Sequence, residues 1–220
     1  MFHKRILVMV NRNLVRDQVY DYLREQMGKG ILKPGSIIEK KNIMKELGIS
    51  QTPLREAFLQ LQADGFVTIL PQRGVEINSL TWSDIRDIYE IVGSLESRII
   101  KTVFPKIGLN TIKRMKNVNE KMNSAFLKND NHKYNMYNIQ FHNEYLDLSE
   151  NLRMVNIIKK QRQVMFDFPL KNYGVDWKEE NYNEHLQLIE LIKSGDAEKA
   201  AHFIKEVHLS LKSKYLATTE

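Results

Sequence analysis

Residues 46–78 read ELGISQTPLREAFLQLQADGFVTILPQRGVEIN, and this stretch decides the fold of the first part of the chain. Gly48 closes a short helix marked by Ile43, Met44 and Leu47, and a tight break follows. Ser50 is a suitable N-cap for the next helix. Pro53 falls in its first turn, where a missing N–H costs nothing because those donors have no intrahelical partner. That helix runs to about Asp64, with Leu54, Ala57, Phe58 and Leu61 on one face and Gln51, Arg55 and Gln62 on the other. Gly65 ends it. Phe66 to Leu70 and Val75 to Asn78 then read as two short strands around the turn Pro71-Gln72-Arg73-Gly74.

Working outward, Leu14, Val15, Val19, Tyr22, Leu23 and Met27 recur at helical spacing between Asn11 and Gly30, and Gly28 and Gly30 stop the pattern. Lys33-Pro34-Gly35 is a turn. Three helices and a hairpin predict a winged helix-turn-helix over residues 1–78. Taken singly, Lys41, Gln51, Thr52, Arg55 and Arg73 are ordinary surface residues. Their placement points to DNA, because the first turn of the second helix in this motif meets base edges in the major groove. Gln51 and Arg55 stand at i and i+4, neighbours on the free face. Arginine donates two hydrogen bonds to guanine and glutamine pairs with adenine, while Thr52 and the backbone N–H groups beside it can hold phosphate. A wing tipped by Arg73 and Gly74 can reach the adjacent minor groove or backbone.

The chain has 220 residues, enough for two domains that each bury a core. It has no cysteine, which excludes disulfides and thiolate metal sites and makes the cytoplasm the expected compartment. The apolar run Ile6 to Val10 is too short for a signal peptide, and no stretch approaches the roughly 18 apolar residues of a membrane span. Net charge is +6, with 12 Lys/Arg against 8 Asp/Glu in residues 1–78 and 21 against 19 in the remainder. The basic excess sits at the front, compatible with nucleic acid but not diagnostic of it.

Leu32-Lys33-Pro34-Gly35, the run Glu46 to Ala57, Asp64-Gly65-Phe66-Val67 and Arg73-Gly74-Val75 together resemble the GntR family of bacterial transcription regulators, over essentially all of residues 12–78. The resemblance implies that Lys41, Gln51, Thr52, Arg55, Arg73 and Gly74 contact operator DNA. The family usually has arginine where Gln51 stands, so the operator is expected to depart from the family's usual half-site at one position.

Residues 79–220 read as an all-helical bundle. Thr81-Trp82-Ser83-Asp84 caps a helix whose apolar face holds Ile85, Ile88, Tyr89, Val92, Leu95 and Ile99. Helices are expected over Asn110 to Leu127, His132 to Leu148, Leu152 to Phe166, Trp177 to Ile192 and Ala197 to Tyr215, about six in all. Turns are expected at Pro105, Gly108, Asn151, Pro169, Gly174 and Gly195. Asn138 and His142 lie at i and i+4 with Phe141 and Tyr145, His185 shares a face with Leu188, Ile189 and Ile192, and His208 sits between Ile204 and Leu211. One inward histidine is usually a hydrogen-bonded core residue. Three on three helices point to a shared partner, and a divalent metal is the commonest.

Asn138 to His142, Glu184-His185 and His208-Leu209 resemble the metal-binding pattern of the FCD (FadR-like) effector domain found behind GntR-type winged helices. The resemblance implies a ligand set of Asn138, His142, His185 and His208, with zinc or nickel as the ion. That pattern normally has aspartate at 138, so weaker metal affinity is expected here. Val92 stands where many members carry an arginine expected to bind an effector carboxylate. His3, His132 and His202 lie off the pattern.

The expected protein is a homodimeric, ligand-responsive regulator, a repressor, binding double-stranded pseudo-palindromic operator DNA, with a small-molecule effector such as an organic acid or a metal in its C-terminal domain. Two alternatives stand beside it. One is a metal-dependent hydrolase with His142, His185 and His208 as ligands and Glu184 as general base; it has no His-Glu-x-x-His run, nucleophile motif or phosphate loop behind it. The other is an interaction module that has lost its ligand site.

Overall fold

The computed structural model describes residues 2–167 and 175–210, with side chains over 15–165 and 177–210. The expected turns at Pro169 and Gly174, and the side chains of His3, Leu14, Leu211 and Tyr215, lie outside the described residues. The chain divides into two compact units after Ser79.

In the first unit, α1 (Phe2–Gly28), α2 (Lys40–Leu47) and α3 (Gln51–Ala63) are followed by β1 (Val67–Leu70) and β2 (Gly74–Ile77). The strands pair antiparallel with Val67 opposite Ile77 and Leu70 opposite Gly74. Val19, Leu23 and Met27 of α1 are buried, as are Leu54, Ala57, Phe58 and Leu61 of α3, Ile43 of α2, and Phe66, Val67, Val75 and Ile77 around the hairpin. Helix α1 begins nine residues earlier than Asn11, because no glycine or proline interrupts residues 2–27. Tyr22, expected on its apolar stripe, is half-buried and donates its hydroxyl to Glu46 at 2.6 Å. Gly48 ends α2 in the left-handed region (φ 62°) and returns its N–H to the Met44 carbonyl. Ser50 holds the extended N-cap backbone (φ −80°, ψ 170°) but makes no side-chain capping bond, leaving the first N–H groups of α3 without that intrachain acceptor.

The second unit begins with α4 (Trp82–Val103), then a short 3-10 turn at Phe104–Lys106, α5 (Leu109–Leu127), α6 (Asn131–Leu146), α7 (Leu152–Asp167), α8 (Val175–Lys193) and α9 (Ala197–Phe203). Thr81 opens α4 with a reciprocal cap: its hydroxyl accepts from the Asp84 N–H at 3.1 Å, and the Asp84 carboxylate accepts from the Thr81 N–H at 2.8 Å. The last helix departs from expectation. After Phe203 it widens into a π-turn, Ile204–His208, in which the Leu209 N–H reaches the Ile204 carbonyl at 2.8 Å. The expected face of α4 is buried at Ile85, Ile88, Tyr89, Val92 and Ile99 and differs at one position. Leu95 is only half-buried, whereas Glu96, the next residue, is 0% exposed.

At the wing, Gly74 has φ 115°, and a Cβ there would stand 2.9 Å from Ile37 Cγ2. Gly74→Ala should therefore lower the thermal midpoint of the protein, by the equivalent of about 1–3 kcal/mol. The check is calorimetry in the absence of DNA, and an unchanged midpoint would show that the wing turn relaxes freely.

Candidate functional site

Two groups of residues are candidates, one in each unit. In the first, α3 buries Pro53, Leu54, Ala57, Phe58 and Leu61 and leaves Gln51, Thr52 and Arg55 exposed. Lys41 on α2 and Arg73 in the hairpin turn are exposed, and Gly74 is half-buried. The anchored face and the free face of α3 follow from the same periodicity, so burying the leucines obliges Gln51 and Arg55 to point outward together.

In the second unit, α6 supplies Asn138 and His142 one turn apart, α8 supplies His185, and the π-turn supplies His208. All four are buried, and His142 and His185 are 0% exposed. The three imidazoles converge through their Nε2 atoms: His142 to His208 at 3.1 Å and His142 to His185 at 3.3 Å. The ring of Phe141 stacks on His185 with centroids 3.7 Å apart, closing one side with apolar surface.

What stands behind each ring decides its tautomer. His208 Nδ1 lies 2.9 Å from the Glu184 carboxylate. His142 Nδ1 lies 2.8 Å from Glu96 Oε2 and 2.7 Å from the Tyr145 hydroxyl, which donates its own proton to Glu96 Oε2. His185 Nδ1 meets Asn119 Oδ1 at 2.9 Å, and Asn119 is oriented because its amide N–H donates to the Tyr182 carbonyl at 3.1 Å. All three partners are acceptors, so each Nδ1 carries the proton and each Nε2 presents a lone pair. Three lone pairs then face one another in a buried site. A proton cannot easily relieve this, because burial, with Arg162 and the neighbouring histidines adding to it, holds His142 and His185 well below the ordinary histidine range.

A cation relieves it, and the donor set fits one. Imidazole Nε2 atoms with acceptors on Nδ1 are the usual arrangement of metal-bound histidine. Asn138 Oδ1 is buried and has no hydrogen-bond partner among the described residues, an acceptor left available on the same helix face as His142. Glu184, weighed above as a general base, instead has its carboxylate on His208. His132 and His202 are exposed and off the site.

Three contributors were not anticipated from the sequence: Glu96, which with Tyr145 stands behind His142, Asn119 behind His185, and Arg162, whose Nε stands 3.4 Å from Glu96 Oε1. Burial pushes the Glu96 carboxyl up, opposed by Arg162 and by the Tyr145 hydrogen bond. The signal that could have found Glu96 is its place one turn after Val92 on the α4 stripe.

The model of the FCD domain matches residues 87–209, and that of the bacterial regulatory proteins of the gntR family matches residues 15–77. The HTH-type transcriptional regulator YdhC of Bacillus subtilis is 27% identical over 193 residues, covering 84% of this chain and 86% of that protein. The gluconate operon transcriptional repressor of the same organism is 25% identical over 181 residues, covering 79% and 74%. Among solved structures, Escherichia coli McbR/YncC superposes with a TM-score of 0.75 at 21% identity, over 93% of this chain and 96% of that one, and so shares the fold.

Because the folded state holds His142 and His185 neutral and the unfolded chain protonates them near their ordinary value of 6.5, the unfolded state binds more protons below that pH. Their contribution to stability is complete above pH 6.5 and is lost as the pH falls below it, at up to about 1.4 kcal/mol per pH unit for each group. Thermal midpoints of metal-stripped protein between pH 7.5 and 5.5 should fall, and fall less steeply in His185→Asn. Equal slopes would show that His185 is not held neutral.

Proposed function

The chain belongs to the GntR family of bacterial regulators and carries an FCD domain, and from that premise we propose that it docks on operator DNA through α3 and the wing and senses a metal-dependent signal at the His142, His185 and His208 cluster. It is a DNA-binding transcription regulator and not an enzyme. The hydrolase alternative falls with that finding.

On the DNA side, Gln51 and Arg55 are the base-reading pair. Thr52 and the N-terminus of α3 hold phosphate, Lys41 adds a phosphate contact, and Arg73 with Gly74 reaches the groove beside the recognition helix. The observation behind this reading is the exposure of Gln51, Thr52 and Arg55 on a helix whose other face is fully packed. Two copies pairing through residues 79–220 place two such helices on a pseudo-palindromic site, and repression is the output, as in the gluconate operon repressor's own name. The protein acts in the cytoplasm, where the DNA is; no described helix is long and apolar enough to cross a membrane.

On the sensing side, the carrying observation is the convergence of three Nε2 lone pairs with Asn138 Oδ1 unpartnered on the same helix face as His142. His142, His185 and His208 would hold a divalent ion, zinc or nickel by donor type, with Asn138 as a neutral oxygen donor. When bound, such an ion supplies a Lewis-acid centre with positions open to an oxygen ligand from a small effector such as an organic acid. Phe141 limits access from the His185 side, and the second-sphere acceptors fix the ring orientations so that the site is preorganised.

Binding-site selection from random DNA with full-length protein is the test of the DNA reading. Arg55→Ala should lose the base preference at one position of each half-site, whereas Lys41→Ala should weaken binding to all sequences about equally and lower the salt dependence by about one unit. A full preference retained in Arg55→Ala would move the recognition surface elsewhere. For the sensing site, elemental analysis of tag-free protein should give near-stoichiometric zinc or nickel, absent from the His142→Ala/His185→Ala double variant. Equal metal content in the two would dismiss the triad as the binding site.

A further inference from the structure

We infer that Glu96 is a positioning residue of the histidine site, supplying through His142 the negative charge that residue 138, as asparagine, does not carry. The inference rests on the reading of the triad as a metal site and adds a residue to it.

The four candidate donors, three neutral imidazoles and one amide, hold no formal charge among them. Charge is present one hydrogen bond further out, and it is unevenly placed. His185 is backed by the neutral Asn119, His208 by Glu184 and His142 by Glu96. Glu184 keeps 12% of its side chain exposed, so solvent screens part of its field, while Glu96 is wholly enclosed. A carboxylate that accepts from Nδ1–H makes the ring a stronger donor at Nε2, and such outer partners typically change metal affinity by about 10–100-fold.

Burying a carboxylate is costly, and Arg162 is the obvious reason a folded chain could tolerate it. The geometry argues that Glu96 is not there for Arg162. A pair built for stability uses both carboxylate oxygens in the parallel fork that guanidinium offers. Here Arg162 Nε lies 3.4 Å from Oε1, outside hydrogen-bond geometry. Glu96 Oε1, Arg162 Nε and Arg162 Nη1 have no hydrogen-bond partner among the described residues. The hydrogen bonds of this carboxylate all fall on Oε2, from His142 Nδ1 and from Tyr145, and Tyr145 itself touches the same Nδ1. Glu96 is thus held through Oε2 by His142 directly and by Tyr145, which touches the same imidazole nitrogen, while Arg162 makes no hydrogen bond to it, which is the arrangement of a group that serves the imidazole. It also revises the expectation drawn from Asn138: the charge missing from that position stands behind the neighbouring ligand.

The test is competition titration of zinc against a chromophoric chelator, with metal-stripped full-length protein, in wild type, Glu96→Gln, Asn138→Asp and the double variant. Glutamine keeps the shape and an amide oxygen that can accept from Nδ1–H, removes the charge, and puts an NH2 group in place of the oxygen that makes no hydrogen bond to a described residue. Glu96→Gln should weaken zinc binding about 10–100-fold and shift the visible bands of the cobalt-loaded protein. Asn138→Asp should add more affinity in the Glu96→Gln background than in wild type, because the two carboxylates substitute for one another. Wild-type affinity in Glu96→Gln, or strictly additive effects of the two substitutions, would overturn the inference while leaving the metal site standing. A wild-type protein that takes up no zinc would remove the metal reading and this inference with it. Should Glu96→Gln fail to fold, Glu96→Gln/Arg162→Met removes both charges of the buried pair and carries the same comparison.

Discussion

Three imidazole lone pairs directed at one point inside a packed helical unit are the constraint on which the second half of this chain depends. Neutral histidines can be buried one at a time at modest cost, since each needs one acceptor and one donor. Here every Nδ1 has its acceptor, and each Nε2 faces other nitrogens. The arrangement leaves lone pairs facing one another at 3.1–3.3 Å, and burial makes their protonation costly. A site of this kind is stable as a fold only because the rest of the unit overrides it: Tyr134, Phe141, Tyr145 and Leu146 of α6 are each no more than 1% exposed and pin the helix that carries His142.

The first unit solves the opposite problem. Its polar residues must stay free while its helix stays fixed, and one periodic stripe does both. Leu54, Ala57, Phe58 and Leu61 lock α3 against α1, so the exposed Gln51 and Arg55 lose little orientation to helix motion. The wing is held by backbone conformation: with φ 115° and Ile37 at its α-carbon, Gly74 has its place in the structure explained without reference to DNA. The turn alone is sufficient reason for a glycine there.

Helix boundaries set by apolar period and local breakers, such as Gly48, Gly65 and the Thr81 cap, were legible, whereas the start of α1 and the end of the last helix, which have no such breaker, were not. The three inward histidines were legible from the same apolar period. What was not legible is what stands behind them. Glu96 does not stand out because a reading that sorts residues into apolar and polar takes Leu95 for the stripe; only the tertiary fold shows that the carboxylate is enclosed by Tyr145 and Arg162. Asn119 is hidden by the same rule. The π-turn at Ile204–His208 has no local sequence signature, since it arises from how the last helix is packed. Sequence periodicity reports one face of one helix, while an outer coordination shell is a relation among several.

Helix α4 gathers these relations. Glu96 on α4 orients His142, and three residues earlier Gly93 lets the backbone of the π-turn come close, for a Cβ at that position would stand 3.1 Å from the Leu209 carbonyl and 3.5 Å from Lys205 Cα. Leu209 follows His208 directly. One stretch of α4 thus meets His142 by hydrogen bond and the backbone on either side of His208 by close contact, so the positions of His142 and His208 are both tied to that helix. Drawing the two nitrogens toward a common centre, or releasing them, must either move α4 or strain the contacts at Glu96 and Gly93. Since α4 is also the first element after Ser79, where the DNA-binding unit ends, it is the part of the effector domain through which a change at the histidines has the shortest covalent route to the winged helix.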